Sequence, residues 1–94
     1  MNIEKMVQSG HCTIVDVRSP GEFMGGHVNG SLNVPLHEIA QRLTELKMLK
    51  QPLVLCCASG GRSGQATMFL SEHGIECYNA GSWYTVNQYQ SQKV

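Results

Sequence analysis

Residues 53–63 read Leu-Val-Leu-Cys-Cys-Ala-Ser-Gly-Gly-Arg-Ser and join an apolar run to a glycine-containing turn. Every residue from 53 to 57 is apolar, which is typical of a parallel strand that is covered on both faces. After the turn, apolar residues recur at helical spacing, and Gly74 is placed to end that helix. This stretch therefore predicts a strand, a loop and a helix in succession.

The same alternation of strand and helix patterns continues on both sides of this stretch. Apolar, partly β-branched runs of strand length are bounded by turn residues, and the apolar residues from Leu36 to Leu46 have the i, i+3, i+4, i+7 spacing of a helix. The predicted strands are residues 12–17, 31–34, 53–57 and 75–78, and the predicted helices are residues 3–7, 36–46, 66–73 and 83–89, with a helical turn at 22–26. Alternating strands and helices predict an α/β fold, a small three-layer domain with a mostly parallel central sheet flanked by helices.

Length, composition and charge limit the classes of protein. The chain has 94 residues, of which 41% are hydrophobic and 15% are charged, and residues 1–94 are predicted to form a single domain. Seven Lys and Arg residues balance seven Asp and Glu residues, so there is no excess positive charge to bind nucleic acid or an anionic membrane. No apolar run approaches the ~18 residues that cross a bilayer. We therefore expect neither a nucleic acid nor a membrane as a partner.

The amino-terminal residues give an expectation about location. Residues 1–10 carry Glu4 and Lys5 where a signal peptide would have its apolar segment. A cytoplasmic location is therefore expected, and a periplasmic location stays open for a chain whose leader has been removed.

The four cysteines lie at positions 12, 56, 57 and 77. Three of them are in apolar, strand-like runs, and neighbouring strand residues face opposite ways, so Cys56 and Cys57 are poorly placed to share a disulfide partner region. The sequence has no C-x-x-C and no second ligand pair for zinc. We interpret the set as reduced thiols, most of them small buried hydrophobes, and expect no metal and no other cofactor.

The turn after Cys57 has the properties of an anion site. Gly60 and Gly61 let successive backbone N–H groups turn toward one point, next to the amino end of the following helix. Arg62 adds a permanent positive charge, and Ser63 adds a hydroxyl. Because these features favour a thiolate, we expect the pKa of Cys57 to lie below the ~8.5 of a free cysteine. A thiolate in such a ring of donors is a nucleophile, and the donors also stabilise charge on the group that it attacks.

A second strand end supplies further polar residues. Ligands of open parallel sheets bind at the carboxyl ends of the strands, and Asp16 and Arg18 stand at the end of the first predicted strand. We interpret Asp16 as an ion-pair partner of Arg18 or Arg62, or as a cap, rather than as a catalytic group. We interpret His27 as a histidine that fixes a turn through a backbone hydrogen bond, with a general acid near Cys57 as the alternative.

Two segments of the chain resemble a known family. Asp16-Val-Arg18, Glu22-Phe23 and residues 26–35 (Gly-His-Val-Asn-Gly-Ser-Leu-Asn-Val-Pro) are similar to D-x-R…E-[FY]…G-H-I-x-G-A-x-N-[IV]-P, and residues 52–63 are similar to an active-site strand and loop, C-x-S-G-x-R-S. Both are signatures of the rhodanese-like single-domain sulfurtransferases, and they occur in that family's order and spacing. One departure follows the last strand, where Trp83 stands three positions earlier than in the family's G-G-x-x-x-W.

The resemblance implies a rhodanese-type thiosulfate sulfurtransferase. By similarity, Cys57 takes a sulfane sulfur from thiosulfate or a related small anionic donor. The persulfide then passes it to a thiol, to cyanide or to a sulfur-carrier protein, and we expect a monomer. The residues implied to bind the donor are Ala58, Ser59, Gly60, Gly61, Arg62 and Ser63, with Asp16, Arg18 and His27 in support. Whether Arg62 faces the donor or pairs with Asp16 or Glu22 is open in the sequence.

Cys56 leaves a second enzyme class open. Counted from Cys56, five residues precede Arg62, which is the C-x5-R spacing of protein tyrosine phosphatases and of rhodanese-fold phosphatases and arsenate reductases. Such a longer loop suits a tetrahedral oxyanion. The family aligns Cys56 with an ordinary strand residue, and Leu55 stands where phosphatases usually have a His, so the sequence favours Cys57. A binding module without turnover is the third alternative.

Overall fold

The computed structural model describes residues 2–92, and its central strand is covered on both faces. This strand, β3 (Leu53–Cys57), is buried at every residue. It lies between β1 (Thr13–Asp16) and β4 (Cys77–Ser82), and β2 (Leu32–Asn33) pairs with the other edge of β1. The three strand pairings are all parallel, in the order β2-β1-β3-β4. The predicted α/β fold with a parallel central sheet is therefore confirmed.

Helices cover both faces of the sheet. They are α1 (Ile3–Ser9), α2 (Pro20–Met24), α3 (Leu43–Lys47), α4 (Gly61–Glu72) and α5 (Trp83–Ser91), with a 3-10 turn at Leu36–Glu38. On one face of β3, Leu53, Leu55 and Cys57 pack in a core with α4. On the other face, Val54 and Cys56 pack in a second core with α1 and α5. None of the helices within residues 2–92 has the length and apolar character needed to cross a membrane.

The helix predicted over residues 36–46 is the element that differs most from expectation. The chain forms the 3-10 turn, continues through irregular turns and only then becomes α3. The N–H of Leu36 donates to the carbonyl of Val17 at 3.0 Å, which ties the first turn to the end of β1. Ile39 and Leu46 are nevertheless buried, as their spacing predicts, whereas Ala40 of the same predicted stripe is exposed. An i, i+3 pattern of apolar residues fits a 3-10 turn as well as an α-helix, so it located the buried face but not the type of helix.

The last strand begins later than residues 75–78 predicted, and it contains a β-bulge. Leu55 pairs with Asn79, but the next residue of β3, Cys56, pairs with Gly81, so one residue of β4 is left unpaired. Gly81 has a φ of 83°, a conformation that glycine adopts without strain. The bulge changes the direction of the strand next to the loop that follows β3.

A buried ion pair joins the elements at the carboxyl edge of the sheet. Asp16, the last residue of β1, is fully buried, and its carboxylate accepts hydrogen bonds from Nε and Nη2 of Arg18 at 3.0 and 2.7 Å. Nη2 of Arg18 also donates to the carbonyl of Gly26 at 2.7 Å. The Arg18 guanidinium lies 4.7 Å from the ring centroid of Trp83, the first residue of α5. Of the partners that the sequence allowed for Asp16, the structure contains Arg18.

The buried pair generates a prediction about stability. Arg18→Met leaves the Asp16 carboxylate buried without its partner, so we expect the free energy of unfolding to fall by about 3–5 kcal/mol. Urea denaturation followed by circular dichroism measures this loss. Arg42→Met is the matched control, because Arg42 pairs with Glu38 and Glu45 at the surface, and exposed pairs contribute little. Equal losses in the two variants would contradict the prediction.

Candidate active site

The alternation of side chains along β3 decides which cysteine faces the loop. Successive strand residues point to opposite faces of a sheet, so Cys57 lies in the core on the α4 side and Cys56 in the core on the other side. The loop after β3 leads directly into α4. Its donors therefore surround the sulfur of Cys57: the N–H of Gly60 is 3.0 Å from Sγ, and Oγ of Ser63 is 3.4 Å from it.

These donors outweigh the effect of burial on the Cys57 thiol. Cys57 is only 1% exposed, and burial alone would raise its pKa. Hydrogen bonds from the hydroxyl and N–H of Ser63, and from the N–H groups of Gly60 and Ser59, lower the pKa to about 7. Roughly half of the Cys57 side chains are then thiolates at neutral pH, and thiolates are the reactive form of cysteine.

Cys56 has the opposite character, although it is the adjacent residue. It is fully buried. Burial, together with the neighbouring Asp16 carboxylate, raises the pKa of its thiol to about 12, against a smaller lowering by Arg18. A thiol with this pKa stays protonated at neutral pH and behaves as a small hydrophobe. This agrees with the interpretation of Cys56 as a packing residue. All four cysteines are free thiols in the structure.

The backbone of the loop explains the need for glycine at its centre. Gly60 has a φ of 107°, which side chains rarely adopt, and a Cβ there would also lie 3.3 Å from Cα of Gly81. This conformation turns the chain so that α4 begins at the next residue, with Ser63 fully buried in its first turn. Ala58, Ser59 and Gly61 are exposed to solvent. Of the predicted donor-binding residues, Ser59, Gly60 and Ser63 therefore hydrogen-bond the Cys57 sulfur.

Arg62 is held by an acid from another element. Its Nη1 and Nη2 donate to Oε1 and Oε2 of Glu22 at 2.7 and 3.0 Å. The hydrogen bond from Arg62, and that from the N–H of Ser19, lower the pKa of Glu22 to about 2. Ser19 and Glu22 also form the capping box of α2. Of the arrangements left open by the sequence, the structure contains the Arg62–Glu22 pair, and both side chains remain more than a third exposed.

A cleft opens beside this ion pair at the carboxyl ends of β1 and β2. Its volume is about 310 Å³. It is lined by Val17, Ser19, Pro35, Leu36, His37 and Arg62. Three of these six residues, Val17, Pro35 and Leu36, are apolar, and one of the polar three is an arginine.

His27 occupies the position of a turn-fixing residue. Its Nδ1 lies 2.7 Å from the carbonyl oxygen of Phe23, and its ring stacks on the Phe23 ring with centroids 3.7 Å apart. These contacts favour the structural interpretation of His27 over the general acid.

Trp83 packs beside Arg18 and has its ring 3.2 Å from where a Cβ of Gly26 would be, while Tyr84 is 65% exposed.

Asn79 is a residue of the site that was not predicted from the sequence. Its Oδ1 accepts hydrogen bonds from Oγ of Ser63 at 2.7 Å and from the N–H of Gly81 at 3.0 Å, and its Nδ2 donates to the carbonyl of Gly60 at 3.1 Å. Asn79 is thus bonded to two residues that contact the Cys57 sulfur. The available signal was a polar residue directly after the predicted strand 75–78, followed two positions later by Gly81.

Fold and site together define a class of three-layer α/β domains. In this class a parallel strand ends at a cysteine, and backbone N–H groups of the following loop donate to its sulfur. The chain belongs to the rhodanese-like domain family, whose model matches residues 2–87. It is 43% identical over 67 residues to the uncharacterized protein YqhL of Bacillus subtilis, covering 70% of this chain and 52% of that protein. It is 39% identical over 69 residues to the thiosulfate sulfurtransferase PspE of Escherichia coli, covering 71% of this chain and 66% of that protein. The aligned part thus spans about half to two thirds of these relatives.

Solved structures agree with this assignment. A structure described as rhodanese with anions from E. coli superposes with a TM-score of 0.72 at 34% identity, covering 79% of this chain and 89% of that one. The human single-domain sulfurtransferase TSTD1 has a TM-score of 0.74 at 26% identity, covering 98% of this chain and 92% of that one. The recognition of the rhodanese-like family from sequence is therefore confirmed.

The contrast between the two neighbouring cysteines is directly testable. Because the pKa of Cys57 is lowered, its thiolate forms as the pH rises through about 7, whereas a free cysteine needs ~8.5. We expect iodoacetamide to alkylate Cys57 with that midpoint and to leave Cys56 unmodified in the folded protein. Tandem mass spectrometry of the peptide that carries both residues measures each rate. Faster alkylation of Cys56 than of Cys57 would contradict the prediction.

Proposed function

We propose that this protein is a sulfurtransferase that carries a sulfane sulfur on Cys57. The observation that carries the proposal is the Cys57 sulfur, 3.0 Å from the N–H of Gly60 and with its pKa lowered to about 7 beside the unreactive Cys56. Membership of the rhodanese-like family and the names of relatives such as the thiosulfate sulfurtransferase of E. coli support the same class of reaction.

The proposed reaction has two displacements. In the first, the Cys57 thiolate attacks the outer sulfur of thiosulfate, a sulfur–sulfur bond forms, and sulfite leaves with the electron pair of the broken bond. In the second, a thiolate or cyanide attacks the outer sulfur of the persulfide, and the Cys57 thiolate is released. Negative charge stays on sulfur throughout, so donors aimed at that position stabilise each stage. Neither step requires a metal or an oxidant.

The charge of Arg62 and the cleft beside it suit a small anionic donor and a thiol acceptor. Arg62 is the cation beside the loop and is the proposed contact for the charged end of thiosulfate. The cleft of about 310 Å³ next to Arg62 is mostly apolar, which suits the carbon part of a thiol better than a second anion. The yeast relative named thiosulfate:glutathione sulfurtransferase, 38% identical over 73 residues, supports an acceptor of the thiol class.

Cys56 lends no support to a phosphatase or arsenate reductase with a C-x5-R loop. Such chemistry needs the first cysteine as a thiolate inside the loop. Here Cys56 lies in the core on the opposite face of the sheet, and its pKa is raised to about 12. The proposal therefore keeps Cys57 as the only nucleophile of the pair.

Intact-mass measurement tests the proposed intermediate. We expect thiosulfate treatment to add one sulfur atom to the protein, and cyanide or a small thiol to remove it. Cys57→Ala should abolish both the gain in mass and the turnover, because it removes the sulfur that the N–H groups face. Cys56→Ala, the matched control, should retain them. Loss of turnover in the Cys56 variant with retention in the Cys57 variant would overturn the proposal.

The Arg62–Glu22 pair predicts an effect on the apparent affinity for the donor. Glu22 is ionised at neutral pH because its pKa is about 2, so thiosulfate has to displace it from Arg62. We expect Glu22→Gln to lower the KM for thiosulfate by about two- to fivefold, the range expected for an exposed ion pair. Steady-state kinetics at low salt measures this.

The control for that experiment is Glu45→Gln, which removes an equivalent carboxylate from Arg42 on the surface. We expect it to leave the KM unchanged. An increase of KM in Glu22→Gln would mean that Glu22 holds Arg62 in the orientation that binds the donor, and the competition model would be wrong.

A further inference from the structure

The Ser63 hydroxyl has one hydrogen, and two acceptor atoms lie within hydrogen-bonding distance of its oxygen. Oδ1 of Asn79 is 2.7 Å from Oγ of Ser63, and Sγ of Cys57 is 3.4 Å from it. A serine hydroxyl donates once and accepts with two lone pairs. The direction of that single hydrogen decides whether Ser63 presents a donor or lone pairs to the Cys57 sulfur.

The orientation of the Asn79 amide settles where this hydrogen rests. The N–H of Gly81 is purely a donor, so the Asn79 atom that it contacts at 3.0 Å must be the carbonyl oxygen, Oδ1. The other amide atom donates to the carbonyl of Gly60 at 3.1 Å, which requires nitrogen there. Oδ1 has no hydrogen to offer, so the short contact with Ser63 is a bond that Ser63 donates. The lone pairs of Oγ are then left to accept the S–H of a protonated Cys57.

We propose that Asn79 is a positioning residue that makes the Ser63 hydroxyl a two-position switch. Its hydrogen rests on Asn79 while Cys57 is a thiol and turns to the sulfur when Cys57 becomes a thiolate. The inference rests on the proposed role of Cys57 as the nucleophile. A hydrogen bond to a charged acceptor is stronger than one to a neutral acceptor, so the thiolate takes the hydrogen from the amide. Oδ1 keeps the Gly81 N–H, and no buried polar atom loses all its partners in either state.

The neighbouring backbone makes room for this amide. A Cβ at Gly64 would lie 3.2 Å from Nδ2 of Asn79, which is a tight contact. The β-bulge between Asn79 and Gly81 brings the Gly81 N–H back onto Oδ1. Bulges of this kind re-aim side chains next to functional sites. Gly64 and the bulge thus both shape the space around the Asn79 side chain.

The switch requires an uncharged side chain at position 79. A carboxylate at this position would hold the Ser63 hydrogen in both states of Cys57, would lose the bond to the Gly60 carbonyl and would add a negative charge near the sulfur. With an alanine at position 79, the Cys57 sulfur is the acceptor that remains for the Ser63 hydroxyl. The two substitutions therefore change the contribution of Ser63 in opposite directions.

A double-mutant cycle on the pH dependence of Cys57 alkylation by iodoacetamide tests the switch. We expect Asn79→Asp to raise the midpoint by about one pH unit, so that the rate at pH 6 falls about tenfold. Ser63→Ala alone should raise the midpoint, because the thiolate loses a donor. In the Asn79→Asp background, Ser63→Ala should cause no further rise. In the Asn79→Ala background, its effect should be at least as large as in the parent chain.

Other outcomes overturn the switch. Equal effects of Ser63→Ala in all three backgrounds would mean that Ser63 and Asn79 act independently. A purely structural role of Asn79 would lower the thermal midpoint of the variants, and the effect of Ser63→Ala on the alkylation midpoint would not depend on the residue at position 79. Asn87→Asp, which adds the same charge on the exposed side of α5, should leave the alkylation midpoint unchanged. Alkylation does not require sulfur transfer, so absence of a persulfide after thiosulfate treatment would refute the proposed function and not the switch.

Discussion

The structure depends on a set of backbone N–H groups that converge on the sulfur of Cys57. These N–H groups are uncharged, so stabilising the thiolate in this way requires neither a buried cation nor a net charge on the chain. Their convergence requires a strand that stops at Cys57, a loop in which Gly60 adopts a positive φ, and a helix that begins at once. The pKa of about 7 at Cys57 is the balance between this arrangement and burial, which acts in the opposite direction.

The loop is supported from two sides by side chains of other elements. On the β1 side, the buried Asp16–Arg18 pair fixes the segment that leads to Glu22, and Glu22 holds Arg62. On the β4 side, Asn79 is bonded to Gly60 and Ser63. Glu22 and Asn79 differ in their consequences. In the proposed reaction, Glu22 occupies the arginine that thiosulfate would bind. In the proposed switch, Asn79 sets the direction of the hydroxyl hydrogen of Ser63.

The sequence predicted the sheet, the buried faces and the residues of the loop, because apolar periodicity and glycine placement are local properties. The resemblance to the rhodanese-like family rested on two signatures in the family's order. The match of the family model to residues 2–87 confirmed that family. The continuous helix over residues 36–46 was wrong, since the bond between Leu36 and Val17 ties its first turn to the sheet and its apolar spacing also fits a 3-10 turn. Asn79 was missed because it is 16 residues from Ser63 in the chain, and a β-bulge in β4 lies beside their contact.

The order of the residues by itself determined that one of two adjacent cysteines stands before a turn of small residues, and that strand alternation must separate the two. The sequence favoured Cys57 as the thiolate, but the pKa values of the two thiols are set by the tertiary structure. The two faces of β3 are chemically different: one side turns into the loop and α4, and the other is closed by α1 and α5 next to the Asp16 carboxylate. The same holds for Arg62, whose charge is evident in the sequence but whose partner depends on α2 lying beside the first turn of α4. An ionisation state depends on the surrounding dielectric and charges, and these come from segments that are distant in the chain.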